Sequence, residues 1–378
     1  MKPYRTPICE ELGLEVPVFA FSKAPEVVVA VSRAGGMGVL GAVAYTVDQL
    51  REALDYIDAN VGGMPYGVDV VMPAKYVDGG AGHDKPLDPS KLEAMISPRH
   101  RAFIEELLAK HEVPKLPEGE SAWHNLLAWT EQTTRPQVEL ALERPIKLLA
   151  NALGPPPKDI VDRAHAKGVK VAALTGAPAH AKKHIENGVD IIVAQGTEAG
   201  GHCGEISTMV LVPEIVDAVG PNVPVLAAGG IGCGRQVAAS LALGAQGAWT
   251  GSIWLTAKES DVSPLLKEKL LKAGSRDTVR SRALTGKPAR QLKTGWSNAW
   301  DDPAGPGALP MPLHWMATAD ATSRIFRYAG QAGNKAEELL TSPVGQIVGR
   351  MNEERSVADI MSDLVRELDE SVRRFSQR

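Results

Sequence analysis

Cysteine is scarce in this sequence, and it has no apolar run long enough to cross a membrane. The three cysteines show no paired spacing, which argues against a disulfide framework or a zinc site; they are Cys9, Cys203 and Cys233. No apolar run reaches the roughly 18 residues that a membrane span needs, and the N-terminus lacks the apolar core of a signal peptide. A net charge of -4 provides no basic surface for nucleic acid. We therefore expect a cytoplasmic protein with free thiols that binds neither membranes nor nucleic acid.

Short apolar runs alternate with helical stretches along most of the 378 residues. The runs are rich in β-branched residues, which is typical of buried strands. Eight strands are predicted, at residues 15–20, 37–41, 66–72, 145–150, 169–174, 189–194, 223–228 and 246–250. Eight strands that alternate with helices over about 250 residues indicate an α/β protein of the (β/α)8 TIM barrel type. A doubly wound sheet is the alternative, but no Gly-x-Gly-x-x-Gly with a later acidic residue follows the first strand.

Residues 73–144 interrupt this alternation after the third strand. They contain no clear buried strand, but they contain two amphipathic stretches, at residues 90–111 and 121–142. We interpret residues 73–144 as a helical insertion. It is either a lid or a crossover helix with a long surface insertion.

The region after the eighth strand is predicted to be helical and then proline-rich as far as Pro312. Two C-terminal helices, at about residues 323–340 and 357–374, are expected to pack on the barrel. The predicted division is a barrel formed by residues 1–72 and 145–275, the insertion formed by residues 73–144, and a C-terminal segment formed by residues 276–378.

Glycine-rich loops follow the last three predicted strands. The residues of interest are Gln195, Gly200, Gly201 and His202 after the sixth strand, Gly229 and Gly230 after the seventh, and Gly251 and Ser252 after the eighth. In TIM barrels the loops after strands seven and eight commonly bind phosphate through backbone N–H groups and a helix dipole. Glycine is needed because a Cβ would hold the phosphate away, and the Ser252 hydroxyl can donate to a phosphate oxygen. We therefore predict a phosphate-bearing ligand at this end of the barrel.

His202 is the candidate catalytic residue of these loops. A histidine at a strand end can exchange a proton near neutral pH; the alternative is a tight turn with an incidental exposed histidine. Glu198, in the same loop, either orients His202 or faces solvent. Farther along the chain, Trp296, Trp300 and His314 either border a substrate pocket or form a buried cluster.

Six segments carry a family resemblance. They are AQGTEAGGH at residues 194–202, PVLAAGGI at 224–231, AASLALGA at 238–245, Gly251-Ser252, VSRAGGMG at 31–38 and TGKPAR at 285–290. Together they resemble the nitronate monooxygenase family, formerly called 2-nitropropane dioxygenases, which are TIM barrels that use flavin mononucleotide (FMN). The match covers nearly all of the barrel, from Val16 to Trp254, apart from the insertion.

The resemblance implies that FMN lies across the strand ends. The residues implied are Gly229, Gly230, Gly251 and Ser252 for the phosphate, Gln195, Gly200 and Gly201 for the ribityl chain and ring, and the backbone of Ala20 and Phe21 for the ring edge. It also implies that His202 is the base that removes a proton from the carbon bearing the nitro group, a role that suits a neutral imidazole. The expected reaction is oxidation of alkyl nitronates by O2 to a carbonyl compound and nitrite, with nitroalkanes as a second candidate substrate.

Three features depart from the family pattern. Asp69 stands where the third strand often carries an asparagine that contacts the flavin, and a carboxylate there opposes anionic reduced flavin unless it is protonated or turned away. Ala20-Phe21-Ser22 replaces the usual Ala-Pro-Met, and the insertion is longer than in simple members. The alternatives are an FMN-dependent NAD(P)H reductase of quinones or enoyl-thioesters and a non-enzymatic barrel that binds a phosphorylated ligand. An oligomer is compatible with all of these functions.

Overall fold

The computed structural model describes residues 4–72, 88–118, 120 and 131–376. In chain order the strands are β1 (Val18–Ser22), β2 (Met37–Gly41), β3 (Tyr66–Val70), β4 (Leu148–Asn151), β5 (Lys170–Thr175), β6 (Ile191–Gln195), β7 (Gly201–His202), β8 (Val225–Ala228), β9 (Gly247–Thr250), β10 (Thr278–Ser281) and β11 (Ala289–Leu292). The α-helices are α1 (Pro7–Leu12), α2 (Pro25–Arg33), α3 (Val47–Asn60), α4 (Pro89–Ala94), α5 (Pro98–Lys110), α6 (Glu131–Leu142), α7 (Lys158–Ala166), α8 (Pro178–Glu186), α9 (Thr208–Val219), α10 (Gly234–Ala242), α11 (Pro264–Lys272), α12 (Gly295–Trp300), α13 (Leu313–Tyr328), α14 (Ala336–Leu339) and α15 (Val357–Ser376).

Eight parallel strands close into a barrel in the order β1-β2-β3-β4-β5-β6-β8-β9. The ring closes where β1 pairs with β9, with Ala20 opposite Thr250. The predicted (β/α)8 barrel is therefore confirmed, and the eight predicted strands are found with shifts of a few residues at their ends. The first strand begins at Val18 rather than Glu15, since Pro17 has no N–H to donate to a neighbouring strand.

Alternate residues of the barrel strands point inward and toward the helices, as the two-residue period of a strand requires. The interior contains a stack of Phe19 on Trp249, with ring centroids 6.4 Å apart, and α1 covers one end of it. Val68 and Val70 of β3 belong instead to the apolar layer between the barrel and its helices. Asp69 lies between these two valines and therefore faces the interior.

A second, antiparallel sheet was not predicted from the sequence. In this sheet β11 pairs with β10 on one side and with β7 on the other. The prediction of a helical and then proline-rich region up to Pro312 is wrong for residues 278–292. Unlike the four-residue strands of the barrel, β10 (TVRS) and β11 (ARQL) contain arginine and lack the apolar run by which the barrel strands were recognised.

The helix predicted at residues 323–340 is wrong in both bounds. The helix found there, α13, begins at Leu313 and ends before Gly330 and Gly333. These glycines have φ angles of 81° and 85°, which a continuing right-handed helix does not allow. The helix predicted at residues 357–374 is confirmed as α15, which packs on α10 and α2.

The described part of the insertion packs against two different parts of the molecule. Its last helix, α6, packs against α3 on the outside of the barrel and leads into β4, while α4 and α5 pack against α13 of the C-terminal segment. Leu92 of α4 joins Met311 and Leu313 in an apolar cluster that reaches Val71 and Leu153, just beyond the ends of β3 and β4. The insertion thus supplies both a crossover helix and a cover beside the strand ends.

Parts of the insertion lie outside the described residues, among them residues 121–130 of the second predicted amphipathic stretch. The first stretch, residues 90–111, contains two helices rather than one, because Pro98 begins α5. The boundaries of the barrel, the insertion and the C-terminal segment stay a prediction. In the part of the chain that the structure describes, no helix has the length and apolar character to cross a membrane.

Candidate active site

The predicted site residues lie together at the carboxyl edge of the barrel. In order of the elements that hold them, they are Ala20 and Phe21 of β1, Asp69 of β3, Gln195 of β6, Gly200 before β7, Gly201 and His202 of β7, Gly229 and Gly230 after β8, and Gly251 and Ser252 after β9. Parallel strands all end at the same edge of a barrel, so the fold itself brings these loops together. Within the described ranges, no group of three or more His, Cys, Asp or Glu side chains could hold a metal ion.

Three of the predicted glycines have backbone conformations that other residues rarely adopt. Gly201, Gly229 and Gly230 have φ angles of 75°, 109° and 70°. A Cβ on Gly201 would have no protein atom within 4 Å, and a Cβ on Gly251 would meet only Phe21 Cδ1, at 4.0 Å. The backbone at Gly201 and Gly251 therefore borders open space that a bound group can fill.

Gly200 has a packing reason to be glycine. A Cβ there would lie 2.8 Å from the nitrogen of Gly345 and 2.8 Å from the carbonyl carbon of Val344. The same Gly345 nitrogen donates to Ser252 Oγ at 2.8 Å. The C-terminal segment thus holds the loops after β6 and β9 together, and Ser252 keeps its hydroxyl hydrogen for a ligand.

Gln236 shapes the loop after β8, and sequence reasoning missed it. Its Nε2 donates to the carbonyl oxygen of Gly230 at 2.6 Å, and its Oε1 accepts from the nitrogen of Gly232 at 2.9 Å. Helix α10 begins at Gly234, directly after this loop. The amino end of its dipole therefore adds positive potential next to the glycines. Nothing in the sequence distinguishes this glutamine from a surface residue of a helix.

His202 is held by the small sheet. Its backbone pairs with Ala289 of β11, and its Nε2 lies 2.7 Å from Thr285 Oγ1. Burial, together with the smaller effect of the nearby Lys287 ammonium, lowers the pKa of His202 to about 4. The imidazole is therefore neutral at pH 7. Its pKa lies well below the near-neutral value expected from the sequence. Thr285 and Lys287 lie in the TGKPAR motif, which was the available signal for them.

The Glu198 side chain bonds to Thr208 at the start of α9. Its carboxylate accepts from the backbone nitrogen of Thr208 at 2.9 Å and from Thr208 Oγ1 at 2.8 Å. The Thr208 hydroxyl also lies 3.0 Å from the carbonyl oxygen of Gly229. Glu198 therefore fastens the start of α9 to the loops after β6 and β8, rather than orienting His202 or simply facing solvent.

Cys203 is not an activated thiol. Burial raises its pKa, against the opposing effects of Arg290 and Arg280, so the thiol stays protonated at pH 7. Arg290 itself is buried and donates from Nε to the carbonyl oxygen of Thr197 at 2.7 Å. It ties the small sheet to the loop after β6, which is a structural role.

Asp69 is a buried carboxyl group with an unused oxygen. Only 3% of the residue is exposed, and Oδ1 has no hydrogen-bond partner in the described part of the chain. Burial raises the pKa of Asp69 to about 8. The group is therefore mainly the neutral acid at pH 7, which removes the objection that a carboxylate would oppose an anionic flavin.

Trp296, Trp300 and His314 form a buried cluster, which was one of the two interpretations of this region. Each is at most 3% exposed, and the rings of Trp300 and His314 lie 4.4 Å apart edge to face. Trp296 Nε1 and His314 Nε2 donate to the same acceptor, the carbonyl oxygen of Ala283, at 2.9 and 3.0 Å. The cluster thus supports the loop that carries Thr285.

The chain is similar to known proteins in both sequence and structure. The family model described as nitronate monooxygenase matches residues 14–367. The chain is 49% identical to a Mycobacterium tuberculosis protein with a provisional monooxygenase name, over 97% of each chain. It is 32% identical to a "Probable nitronate monooxygenase" of Staphylococcus saprophyticus, over 77% of this chain and 80% of the relative. Among solved structures it is similar to FabK from Thermotoga maritima, with a TM-score of 0.71, 27% identity and 99% of each chain covered.

Proposed function

Because this chain belongs to the nitronate monooxygenase family, we propose that it oxidises alkyl nitronates with O2 to a carbonyl compound and nitrite, using FMN as the flavin. Membership makes the protein an oxidoreductase that acts on a small molecule, so binding without catalysis is no longer an alternative. The observation that carries the proposal is a neutral histidine with a cation beside it, at the barrel edge where the glycine loops converge.

The residues at this edge fit FMN. The backbone at Gly201 and Gly251 borders open space, and Asp69 Oδ1 is a buried polar atom without a partner among the described residues. We assign the phosphate to Gly229, Gly230, Gly251 and Ser252, the ribityl chain and ring to Gln195, Gly200 and Gly201, and the ring edge to Ala20, Phe21 and Asp69. When bound, FMN would supply the electron transfer between the nitronate and O2.

The electrostatics around His202 favour an anionic substrate. A nitronate carries its negative charge on the nitro oxygens and needs no base, since the proton is already gone. Lys287, next to His202, provides positive charge for such an anion. A neutral nitroalkane must first lose a proton to His202, and a base with a pKa of about 4 is a weak acceptor. We therefore propose nitronates as the preferred substrates and nitroalkanes as poorer ones.

A second candidate function is the NAD(P)H-dependent reduction of quinones or enoyl-thioesters. The apolar cluster of Leu92, Met311 and Leu313 next to Val71 and Leu153 favours it, because this cluster could line a site for a large apolar substrate. Both functions use a flavin at the same edge, so only the electron donor and acceptor separate them.

The visible spectrum of the purified protein tests both functions. We expect a yellow protein that anaerobic ethyl nitronate bleaches and that NADH or NADPH leaves unchanged. His202→Asn serves as a matched control, since it should keep the flavin and still be bleached by the preformed nitronate. A yellow protein that only NAD(P)H bleaches would establish the reductase instead. A colourless protein that takes up no FMN would contradict the assigned cofactor.

A further inference from the structure

The hairpin between β10 and β11, residues 282–288, reaches the candidate base. Thr285 Oγ1 of this hairpin lies 2.7 Å from His202 Nε2. The backbone of the next residue, Cys203, also meets the hairpin, since its nitrogen donates to the carbonyl oxygen of Pro288 at 3.4 Å. The hairpin therefore contacts both the ring and the backbone around the histidine.

Buried contacts with the C-terminal segment hold the hairpin in place. The carbonyl oxygen of Ala283, a fully buried residue, accepts from both Trp296 and His314. Gly286 has a φ of 85° and lies so close to Leu309 that a Cβ there would be 2.1 Å from the Leu309 carbonyl oxygen. Thr285 lies between these two anchored residues, so its hydroxyl has a defined place.

The hydrogen bond with Thr285 engages one of the two ring nitrogens of His202. In a neutral imidazole one nitrogen donates and the other accepts. Thr285 Oγ1 accepts from the backbone nitrogen of Lys287 at 3.3 Å, which leaves it one further acceptor site and its own O–H, so it can bond either tautomer of the imidazole. Among the described residues His202 Nδ1 has no hydrogen-bond partner. Nδ1 is therefore the nitrogen left for a substrate, and it can take a proton only in the tautomer that carries its own proton on Nε2 and donates it to Thr285.

We propose that Thr285 is the positioning residue of His202: its hydroxyl oxygen accepts the hydrogen bond from Nε2–H, and Nδ1 is the nitrogen that takes the substrate proton. This inference rests on the proposed function and assigns an atom to its proton step. For a neutral nitroalkane, the C–H bond breaks and the N–H bond at Nδ1 forms. The electron pair of the C–H bond moves into the C=N bond of the nitronate, whose charge lies on the nitro oxygens. The reverse orientation, with Thr285 donating to Nε2, would put the proton on Nδ1 and leave no base there.

Nitrogen NMR of the purified holoenzyme, selectively labelled with 15N-histidine, tests the tautomer directly. The chain has nine histidines, and the signals absent from His202→Asn identify those of His202. We expect a protonated Nε2 and an unprotonated Nδ1 in the wild type and in Thr285→Ser. Thr285→Val, which removes the acceptor at nearly constant volume, should give a mixture of tautomers. An unprotonated Nε2 in the wild type would overturn the proposal.

Kinetics test the proton step separately. Thr285→Val should lower kcat/KM for neutral nitroethane on the order of 10- to 100-fold, and that for preformed ethyl nitronate far less, with Thr285→Ser close to wild type. Thr278→Val is the matched control, since Thr278 is a hydroxyl of the same sheet that bonds Arg290 rather than His202. Equal losses of kcat/KM on both substrates would show that Nδ1 does not take the substrate proton. If the wild type turns over neither substrate, the proposed function fails, while the NMR result still decides the role of Thr285.

Discussion

Asp69 and His202 are ionisable side chains that burial holds in their neutral forms. Desolvation raises the pKa of Asp69 to about 8 and lowers that of His202 to about 4. In both cases the charged form is disfavoured because the surroundings solvate it poorly. The barrel edge thus offers a proton donor and a proton acceptor without net charge from either.

Asp69→Asn should change how the stability of the FMN-free protein depends on pH. The raised pKa means that the folded state keeps a proton which the unfolded state has lost between about pH 4 and pH 8. The Asp69 contribution therefore falls as pH rises through that window, by about 1.4 kcal/mol per pH unit. Asparagine removes this contribution, so the variant should gain stability relative to wild type from pH 5 to pH 8. Urea unfolding at the two pH values measures the difference; parallel pH curves would contradict it.

The element that matters most for the site is the hairpin between β10 and β11. Trp296 and His314 bond to its Ala283, and Leu309 packs closely against its Gly286, so three residues of the C-terminal segment anchor this short hairpin. Ser281, the last residue of β10, adds a hydrogen bond from its hydroxyl to Asp301 Oδ1 at 2.7 Å. Such a loop cannot shift without breaking polar contacts that are buried.

Gly286→Ala should destabilise the protein by about 2–4 kcal/mol, since alanine suffers both the left-handed φ and a clash with Leu309. Gly13→Ala is the matched control. Gly13 has a φ of 74°, and a Cβ there would have no atom within 4 Å, so only the backbone strain of about 1–2 kcal/mol applies. Urea unfolding gives both values. Equal losses of unfolding free energy in the two variants would show that the hairpin rearranges to accommodate the added methyl group.

The sequence predicted the elements that have a clear apolar pattern and missed those that lack one. Barrel strands such as β6, with a continuous apolar run, and the 20-residue helix α15, with apolar residues at helical spacing, carry a pattern that can be recognised. The hairpin strands do not, and β7 consists of two residues within a glycine loop. Its pairing partner, Ala289, is remote in sequence from His202, so no local pattern could reveal it. Gly201, Gly229 and Gly230 were predictable because their left-handed backbone conformation favours glycine.

At the scale of the whole molecule, the insertion and the C-terminal segment pack as partners. Arg324 of α13 is 5% exposed and donates from Nε to the carbonyl oxygen of Pro114 at 2.8 Å and from Nη2 to that of Val113 at 3.0 Å. It also pairs with Glu105 of α5 at 3.1 Å. One buried guanidinium thus joins two segments that are separated by the barrel strands β4–β9 in the sequence.

Arg324→Met should lower the free energy of unfolding by about 2–4 kcal/mol, because it keeps the aliphatic volume but leaves carbonyl oxygens without their charged donor. Arg327→Met on the same helix is the control. Arg327 pairs with Glu120 near the surface, so its loss should cost within about 1 kcal/mol. Limited proteolysis after α5 should also accelerate in the first variant alone. Similar behaviour of the two variants would mean that Arg324 does not join the segments.

The hairpin has a consequence for the order in which the protein is synthesised. His202 and Thr285 are separated by 83 residues, so at about 5–20 residues per second the ribosome adds Thr285 roughly 4–17 seconds after His202. Until then the nascent chain contains the glycine loops but lacks the residue that orients the histidine. A newly made chain therefore contains all eight barrel strands before it contains the hydroxyl that bonds His202.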